Sequence, residues 1–436
     1  MTVTYKLEPG GALTGRMRVP GDKSISHRSI MLGSIAEGVT RVSGFLEGND
    51  ALATMNVLRA LGVRIDGPER GNVTVHGIGM RGLEAPHQVL DCGNSGTSMR
   101  LLCGLLAGQN FDCELTGDAS LRRRPMQRVA DPLGKMRAEI VTAEGGRPPL
   151  RIMGTGNMRG IEYRMPIASA QVKSALLLAG LYARGNTCVI EPAPTRDHTE
   201  RMLAAFGYPV ERNGGTVCVS GGGKLTATSI EVPADISSAA FFMVGAGIAP
   251  GSDLTLEQVG VNPTRTGVID ILRLMGANID LINQRQAGGE PVADIRVRHA
   301  ELKGIEIPVE LVPLAIDEFP VLFVAAANAR GITVLRGAAE LRVKESDRLA
   351  VMAGGLNALG ISAKPTADGM HVTGGAYGGG TVASHGDHRV AMAFAIAALR
   401  AGAPVTIEDC ANVATSFPGF VPLARAAGLR ISETGI

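Results

Sequence analysis

Clusters of cationic, amide and carboxylate side chains recur along this 436-residue chain, just ahead of apolar stretches that read as helices. The first, Pro20-Gly21-Asp22-Lys23-Ser24-Ile25-Ser26-His27-Arg28, presents Lys23 and Ser24 from a turn, with Arg28 about one helical turn further on. The free N–H groups at a helix start attract anions, and an ammonium and a guanidinium beside them make a cradle for phosphate or carboxylate. A lone Lys-Ser pair is more often a solvated loop with a capping serine. Gly93-Asn94-Ser95-Gly96-Thr97-Ser98-Met99-Arg100 has glycines that admit close backbone approach to a ligand, and Arg122, Arg123 and Arg124 crowd ahead of Pro125. Ser169-Ala170-Gln171-Val172-Lys173 offers a hydroxyl, an amide and an ammonium at a helix start, or simply a satisfied N-cap. Asp317 and Glu318 interrupt an apolar stretch at the same kind of junction. Carboxylates cap helices there, yet an acid beside a basic cleft is also a candidate general base. Lys344, Glu345 and Arg348 fall within one turn of each other, which suits an exposed ion-pair helix as well as a site. In His385-Gly386-Asp387-His388-Arg389 no third ligand accompanies the paired histidines, so Arg389 reads as an anion ligand rather than the motif as a metal site.

These clusters share a phase because the chain repeats. A strand-like segment, a loop, a helix of small apolar residues, a glycine and a Val/Ile/Thr-rich strand recur six times, with the glycines at Gly38, Gly108, Gly185, Gly251, Gly331 and Gly402. The period of about seventy residues exceeds that of ordinary solenoids, so each copy is expected to be a small α/β layer. A second helix follows in every copy and ends on Gly62, Gly207, Gly276, Gly360 or Gly428 as a left-handed cap, Arg137 being the exception. Further β-branched segments complete a β-α-β-α-β-β unit. The sixth unit lacks its last strand, which the N-terminal segment Tyr5 to Gly10 is placed to supply. Nearly every charged cluster lies at a loop-to-helix junction of a repeat or shortly before its second helix, and this shared phase argues for one composite site.

The length suits two domains of three repeats each. Charged residues are 19% of the chain and the net charge is +2, so neither disorder nor bulk attraction to nucleic acid is expected; aromatics at 3%, with no Trp, remove the usual stacking platforms for single strands. The N-terminus lacks a signal-like apolar region, and no apolar run approaches the ~18 residues of a membrane span, so a cytoplasmic protein is expected. Cys92, Cys103, Cys113, Cys188, Cys218 and Cys410 show no metal-ligand spacing and read as buried thiols rather than a disulfide or zinc framework.

The motifs PGDKSISHR at 20–28, GNSGTSMR at 93–100, RPM at 124–126, SAQVK at 169–173, RDHTE at 196–200, NPTR at 262–265, IDEFP at 316–320, LRVKESDR at 341–348 and DHR at 387–389 are together specific. Over essentially its whole length the chain resembles the 5-enolpyruvylshikimate-3-phosphate synthase family, the 3-phosphoshikimate 1-carboxyvinyltransferases. The resemblance implies an α/β fold of two domains, each of three β-α-β-α-β-β units around buried helices (an inside-out α/β barrel), with the active site in the interdomain cleft. The domains would be 21–235 and 1–20 with 236–436, hinged near Pro20-Gly21 and Pro233 to Asp235. It also implies transfer of the enolpyruvyl group of phosphoenolpyruvate to the 5-hydroxyl of shikimate 3-phosphate with release of phosphate, by a monomer using no metal or organic cofactor.

Carried over residue by residue, the resemblance assigns Lys23, Ser24, Arg28, Ser169, Ala170, Gln171, Arg196, Asp317 and Lys344 to shikimate 3-phosphate. It assigns Lys23, Asn94, Gly96, Arg124, Gln171, Arg348 and Arg389 to phosphoenolpyruvate. Asp317 would take the proton of the attacking hydroxyl, and Glu345 with Lys23 would manage protonation of the methylene carbon and departure of phosphate. Two rivals remain. UDP-N-acetylglucosamine enolpyruvyl transferases share the fold and chemistry but carry a loop cysteine where this chain has Ala119, and an asparagine where it has Ser24. A non-catalytic RNA-binding repeat protein would not need Asp317, Glu345 and three arginine loops in phase. GDKS, SAQVK, RDHTE and NPTR are similar to the glyphosate-tolerant second class of the family, yet tolerant members commonly carry alanine at the position of Gly96.

Overall fold

The computed structural model describes residues 3–154 and 156–435. Among the described residues, twelve α-helices are numbered in chain order: α1 Lys23–Ile35, α2 Asn49–Ala60, α3 Gly96–Ala107, α4 Gln127–Lys135, α5 Ala170–Gly180, α6 His198–Ala205, α7 Ile236–Ile248, α8 Gly267–Leu274, α9 Phe319–Ala327, α10 Arg348–Ala358, α11 His388–Ala397 and α12 Phe420–Ala427. Odd-numbered helices open the repeats and sink into the cores; all thirteen residues of α7 and all nine of α9 are buried, while α1 also buries the polar Ser26, His27, Arg28, Ser29 and Ser34. Even-numbered helices are two-faced. In α12 only Phe420, Val421, Ala424 and Ala427 are buried, the 3.6-residue stripe of a surface helix. Full burial of one such phenylalanine stabilises by about 1.5–3 kcal/mol.

The chain divides into two compact units. One comprises Gly21–Val232 and the hairpin tip Ala287–Glu290. Its three four-stranded sheets share one plan. The strands of the first run in the order Ser229–Glu231, Glu37–Ser43, Asn72–Ile78, Arg64–Glu69, with the first pair parallel and the others antiparallel. The other two sheets repeat this plan with strands drawn from 90–153 and 162–220. Helices α1, α3 and α5 fill the middle, and α3 meets α5 at backbone distance: a Cβ on Gly104 would lie 2.0 Å from the Ala175 carbonyl oxygen. Only glycine fits there.

The other unit contains the residues up to Pro20, Pro233–Gln286 and those from Pro291 on. It has two four-stranded sheets and a three-stranded one, with α7, α9 and α11 in its core. The strand expected at the start of the fifth repeat, ahead of Pro308, is reduced to the isolated bridges Lys303↔Arg330 and Glu306↔Val334, so that sheet is left with Ile332–Leu335, Met370–Thr373 and Ala363–Pro365. In the last sheet the N-terminal strand Val3–Leu7 lies between Val405–Glu408 and Ile431–Gly435, the place of the missing sixth-repeat strand.

Three expectations are refined or corrected. The strand opening the first repeat, Thr14–Met17, pairs with Asp253–Gly260 of the fourth, and the strand opening the fourth, Ser229–Glu231, pairs with Glu37–Ser43 of the first. Each unit therefore completes its sheets with a strand the repeat pattern assigns elsewhere. The left-handed ends at Gly62, Gly207, Gly276, Gly360 and Gly428 all have positive φ, and Arg137, the exception in sequence, adopts the same conformation at φ 71°. The reading of six free thiols is wrong for two: Cys188 and Cys218 face each other in register on antiparallel strands and form a disulfide. A separation of 30 residues carries no sign of that register. Cys92, Cys103, Cys113 and Cys410 are buried free thiols, and burial pushes Cys103 up to about 12. Among the described residues no helix is long and apolar enough to cross a membrane.

Candidate active site

The unit built on Gly21–Val232 carries the basic cluster. Asp22 caps α1 by accepting from the Ile25 N–H at 2.8 Å, which sets Lys23 and Ser24 on the first turn. The Lys23 ammonium forms an ion pair with Asp50, a buried carboxylate on the first turn of α2. Arg28, one turn on, is buried. It donates to Thr199 Oγ1 at 2.7 Å, Ser174 Oγ at 2.8 Å and the Ser24 carbonyl at 2.9 Å. Burial pushes its guanidinium down to about 10; Glu200 and Asp22 oppose this, and the Arg196 charge adds to it. Two cations within electrostatic reach of each other make a place for a dianion.

At the start of α3, Ser95 caps the helix and Gly96 lies between two guanidinium groups. A Cβ on Gly96 would sit 3.2 Å from an end nitrogen of both Arg100 and Arg124, so the space beside Gly96 is bounded by two cations rather than open. Arg124 donates to Asn94 Oδ1 at 2.7 Å, and Asn94 donates in turn to Asp118 at 2.7 Å. Arg100 donates to Gln171 Oε1 at 2.5 Å, while the Gln171 amide donates to Thr97 at 3.0 Å. Asn94, Gly96, Arg124 and Gln171 are thus one connected group, with Arg100 at its centre. Of the arginine run only Arg124 turns inward; Arg122 and Arg123 are exposed. Ser169 caps α5 by accepting from Val172 N–H at 3.4 Å, with Ala170 half-buried beside it. Lys173, offered by the sequence as a possible ligand, is fully buried between Glu191 at 3.0 Å and Glu200 at 2.7 Å and belongs to the core. The rest of RDHTE is also structural. Asp197 pairs with Arg201 and Arg212, and His198 meets Glu290 at 2.9 Å, leaving Arg196 as the ligand candidate of that motif.

The other unit carries the mixed cluster. Arg348 opens α10 at 1% exposure and donates to Asp387 at 2.8 Å, Glu345 at 2.8 Å and Asp317 at 3.4 Å. Burial works against its charge, but Asp387, Glu345 and Asp317 outweigh it and raise its pKa above the usual arginine value. Asp387, fully buried, caps α11 through the Arg389 N–H at 2.9 Å; burial is overcome by Arg348, which holds its carboxyl below the usual carboxylate range. Asp317, half-buried, also accepts from Lys344 at 3.3 Å, and its backbone carbonyl accepts from Arg389 at 3.1 Å. Asp317, Lys344, Glu345, Arg348 and Arg389 are therefore brought together around Asp387. The arrangement can hold an anion on Arg389 and Lys344 and put two carboxylates next to it.

Sequence reasoning missed Asp50, Arg100 and Asp118 and left Asp387 without a role. Each anchors a cation or amide that was identified, but acidic residues ahead of helices look like caps in sequence, and nothing in the sequence shows that Arg100, inside α3, reaches Gln171. NPTR supplies Arg265, buried and donating to Asp235 at 3.1 Å and to Ser237 at 2.7 Å, away from any anion role.

The family model described as EPSP synthase (3-phosphoshikimate 1-carboxyvinyltransferase) matches residues 7–423. Curated 3-phosphoshikimate 1-carboxyvinyltransferases are similar at high identity. That of Alkalilimnicola ehrlichii is 68% identical over 98% of this chain and 96% of its own, and that of Methylococcus capsulatus 66% over 98% of both. The solved EPSP synthase of Acinetobacter baumannii superimposes with a TM-score of 0.89 at 57% identity, covering all of both chains. The enolpyruvyl transferase NikO of Streptomyces tendae, 17% identical, shares the fold at a TM-score of 0.81 over 99% of both chains. Sequence motifs, six-repeat fold and full-length similarity agree that the chain belongs to the EPSP synthase (3-phosphoshikimate 1-carboxyvinyltransferase) family.

Proposed function

We propose that the protein transfers the enolpyruvyl group of phosphoenolpyruvate to the 5-hydroxyl of shikimate 3-phosphate and releases phosphate, a step of aromatic amino-acid biosynthesis. Full-length similarity to enzymes of that name carries the proposal, and the two charged clusters make it chemically workable. Both substrates are multiply anionic. Lys23, Ser24, Arg28, Ser169, Ala170, Gln171 and Arg196, with Lys344 and Asp317, hold shikimate 3-phosphate in this scheme; Lys23, Asn94, Gly96, Arg124, Gln171, Arg348 and Arg389 hold phosphoenolpyruvate. Asp317 takes the proton of the 5-hydroxyl as its oxygen attacks C2 of phosphoenolpyruvate. Glu345 and Lys23 deliver a proton to C3 and remove it again as phosphate leaves, which restores the double bond. Ligands for one substrate pair come from both units, so the proposal includes their convergence on the bound substrates, with water excluded from the cationic centre that develops at C2.

Cytoplasmic location, a monomeric state and independence of nucleic acid, membrane, metal and organic cofactor belong to the same proposal. It is tested by phosphate release from phosphoenolpyruvate with shikimate 3-phosphate or UDP-N-acetylglucosamine as acceptor. Release only with shikimate 3-phosphate is expected; release only with the nucleotide sugar would reassign the enzyme.

A further inference from the structure

Glu318 is a buried carboxylate that the reaction scheme leaves unused. It stands at the N-cap of α9, yet its side chain makes no capping hydrogen bond, so capping does not account for it. One oxygen, Oε1, accepts from the Ser237 hydroxyl and lies 3.7 Å from Nη1 of Arg389. The other, Oε2, is buried and accepts no hydrogen bond among the described residues. A buried carboxylate so poorly supplied with donors is costly unless a cation compensates it. Arg389 is that cation, and its Nη1 is also fixed by the Asp317 carbonyl at 3.1 Å. Ser237 accepts from Arg265 at 2.7 Å, and Arg265 donates to Asp235 at 3.1 Å. Asp235, Arg265, Ser237, Glu318 and Arg389 therefore form an unbroken chain of alternating charge that starts at the cap of α7.

We propose that Glu318 is a positioning residue: with the Asp317 carbonyl it holds one nitrogen of Arg389, fixing the plane of the guanidinium so that its remaining donors face the anionic groups of phosphoenolpyruvate. A planar fork anchored at one nitrogen is pre-organised for two-point contact with a carboxylate or phosphate, and an unanchored fork loses that advantage on binding. This rests on Arg389 being a phosphoenolpyruvate ligand, so the test includes Arg389 itself. Steady-state kinetics of Glu318→Gln, Arg389→Ala and the double variant are compared. Glu318→Gln keeps the shape and removes the charge, and it is expected to raise the phosphoenolpyruvate KM roughly tenfold while leaving the shikimate 3-phosphate KM within about twofold. On the Arg389→Ala background the same change should add nothing further.

An unchanged phosphoenolpyruvate KM in Glu318→Gln, beside a raised one in Arg389→Ala, overturns the positioning role and leaves Arg389 as a ligand. Additive effects overturn it equally, and an unaffected KM in Arg389→Ala removes both the ligand and its positioning residue. Ser237→Ala breaks the chain without altering a charge and serves if Glu318→Gln does not fold. A rise of a few-fold confined to phosphoenolpyruvate supports the proposal, and none overturns it.

Discussion

Replacing Asp317 with alanine removes the carboxylate that accepts from Lys344 and Arg348 and to which the proposed reaction gives the hydroxyl proton. The expected result is a fall in kcat of roughly 10²-fold or more, with the KM of each substrate changed far less, the pattern of a lost general base. Steady-state kinetics check it, and a change in KM alone would make Asp317 a binding group. Gly96→Ala is a finer test, because the new methyl would lie 3.2 Å from both Arg100 and Arg124. The ends of those side chains can give by a few tenths of an ångström, so activity should survive. Glyphosate, expected to compete with phosphoenolpyruvate in the wild type, should lose roughly tenfold or more in inhibition relative to the phosphoenolpyruvate KM, since one methyl discriminates by about 1–3 kcal/mol. An equal shift in inhibition constant and KM would show that Gly96 does not set inhibitor access. The proposed cationic ligands stand out in sequence because they recur in repeat phase, although phase alone does not make a ligand: Lys173, in the same phase, is a core residue paired with Glu191 and Glu200. The anchors Asp50, Asp118 and Asp387 do not stand out, because a capping Asp and a functional Asp have the same sequence surroundings.

At the scale of elements the helix starts differ between the units. Asp22, Ser95 and Ser169 cap α1, α3 and α5, with Lys23 on the first turn of α1 and Arg28 and Arg100 further along their helices, whereas α7, α9 and α11 begin beside Asp235, Asp317 with Glu318, and Asp387. Each of those carboxylates has an arginine on it: Arg265, Arg389 or Arg348. Helix periodicity and terminal glycines in the sequence reveal these elements well, since the left-handed cap demands glycine. Arg137 shows the limit, for it holds φ 71° without one. Arg137→Gly is expected to stabilise the protein by up to about 1 kcal/mol, the left-handed penalty removed exceeding glycine's entropy cost. Gly207→Ala, at φ 78° with open space around it, should destabilise by about 1 kcal/mol for the same reason in reverse. Urea titration of both variants reads the signs, and a destabilised Arg137→Gly would mean that the arginine side chain outweighs its backbone strain. The strand exchange between first and fourth repeats and the Cys188–Cys218 bond escape the sequence because both depend on register between distant segments.

For the whole molecule, two units with separate cores are linked where the chain passes between them near Pro20 and Val232 and at the hairpin tip Ala287–Glu290. The first two passages fall between the opening strand and the first helix of the first and fourth repeats, near the stretches Pro20-Gly21 and Pro233 to Asp235. The tip was not legible in sequence, because nothing in Ala287-Gly288-Gly289-Glu290 marks it as more than a turn. If the units converge on their substrates, saturating shikimate 3-phosphate should reduce the radius of gyration in small-angle scattering and raise the melting temperature through linkage. An identical scattering profile with and without ligand would speak against convergence.

The proposed reaction draws on clusters of both units. Its most direct test is the phosphoenolpyruvate KM of two single variants, Arg124→Ala from one unit and Arg389→Ala from the other, measured by phosphate release at saturating shikimate 3-phosphate. Both should raise that KM by roughly tenfold or more, as expected for loss of a charge-assisted contact. A rise in only one of them would contradict the account, because phosphoenolpyruvate would then be held by a single unit.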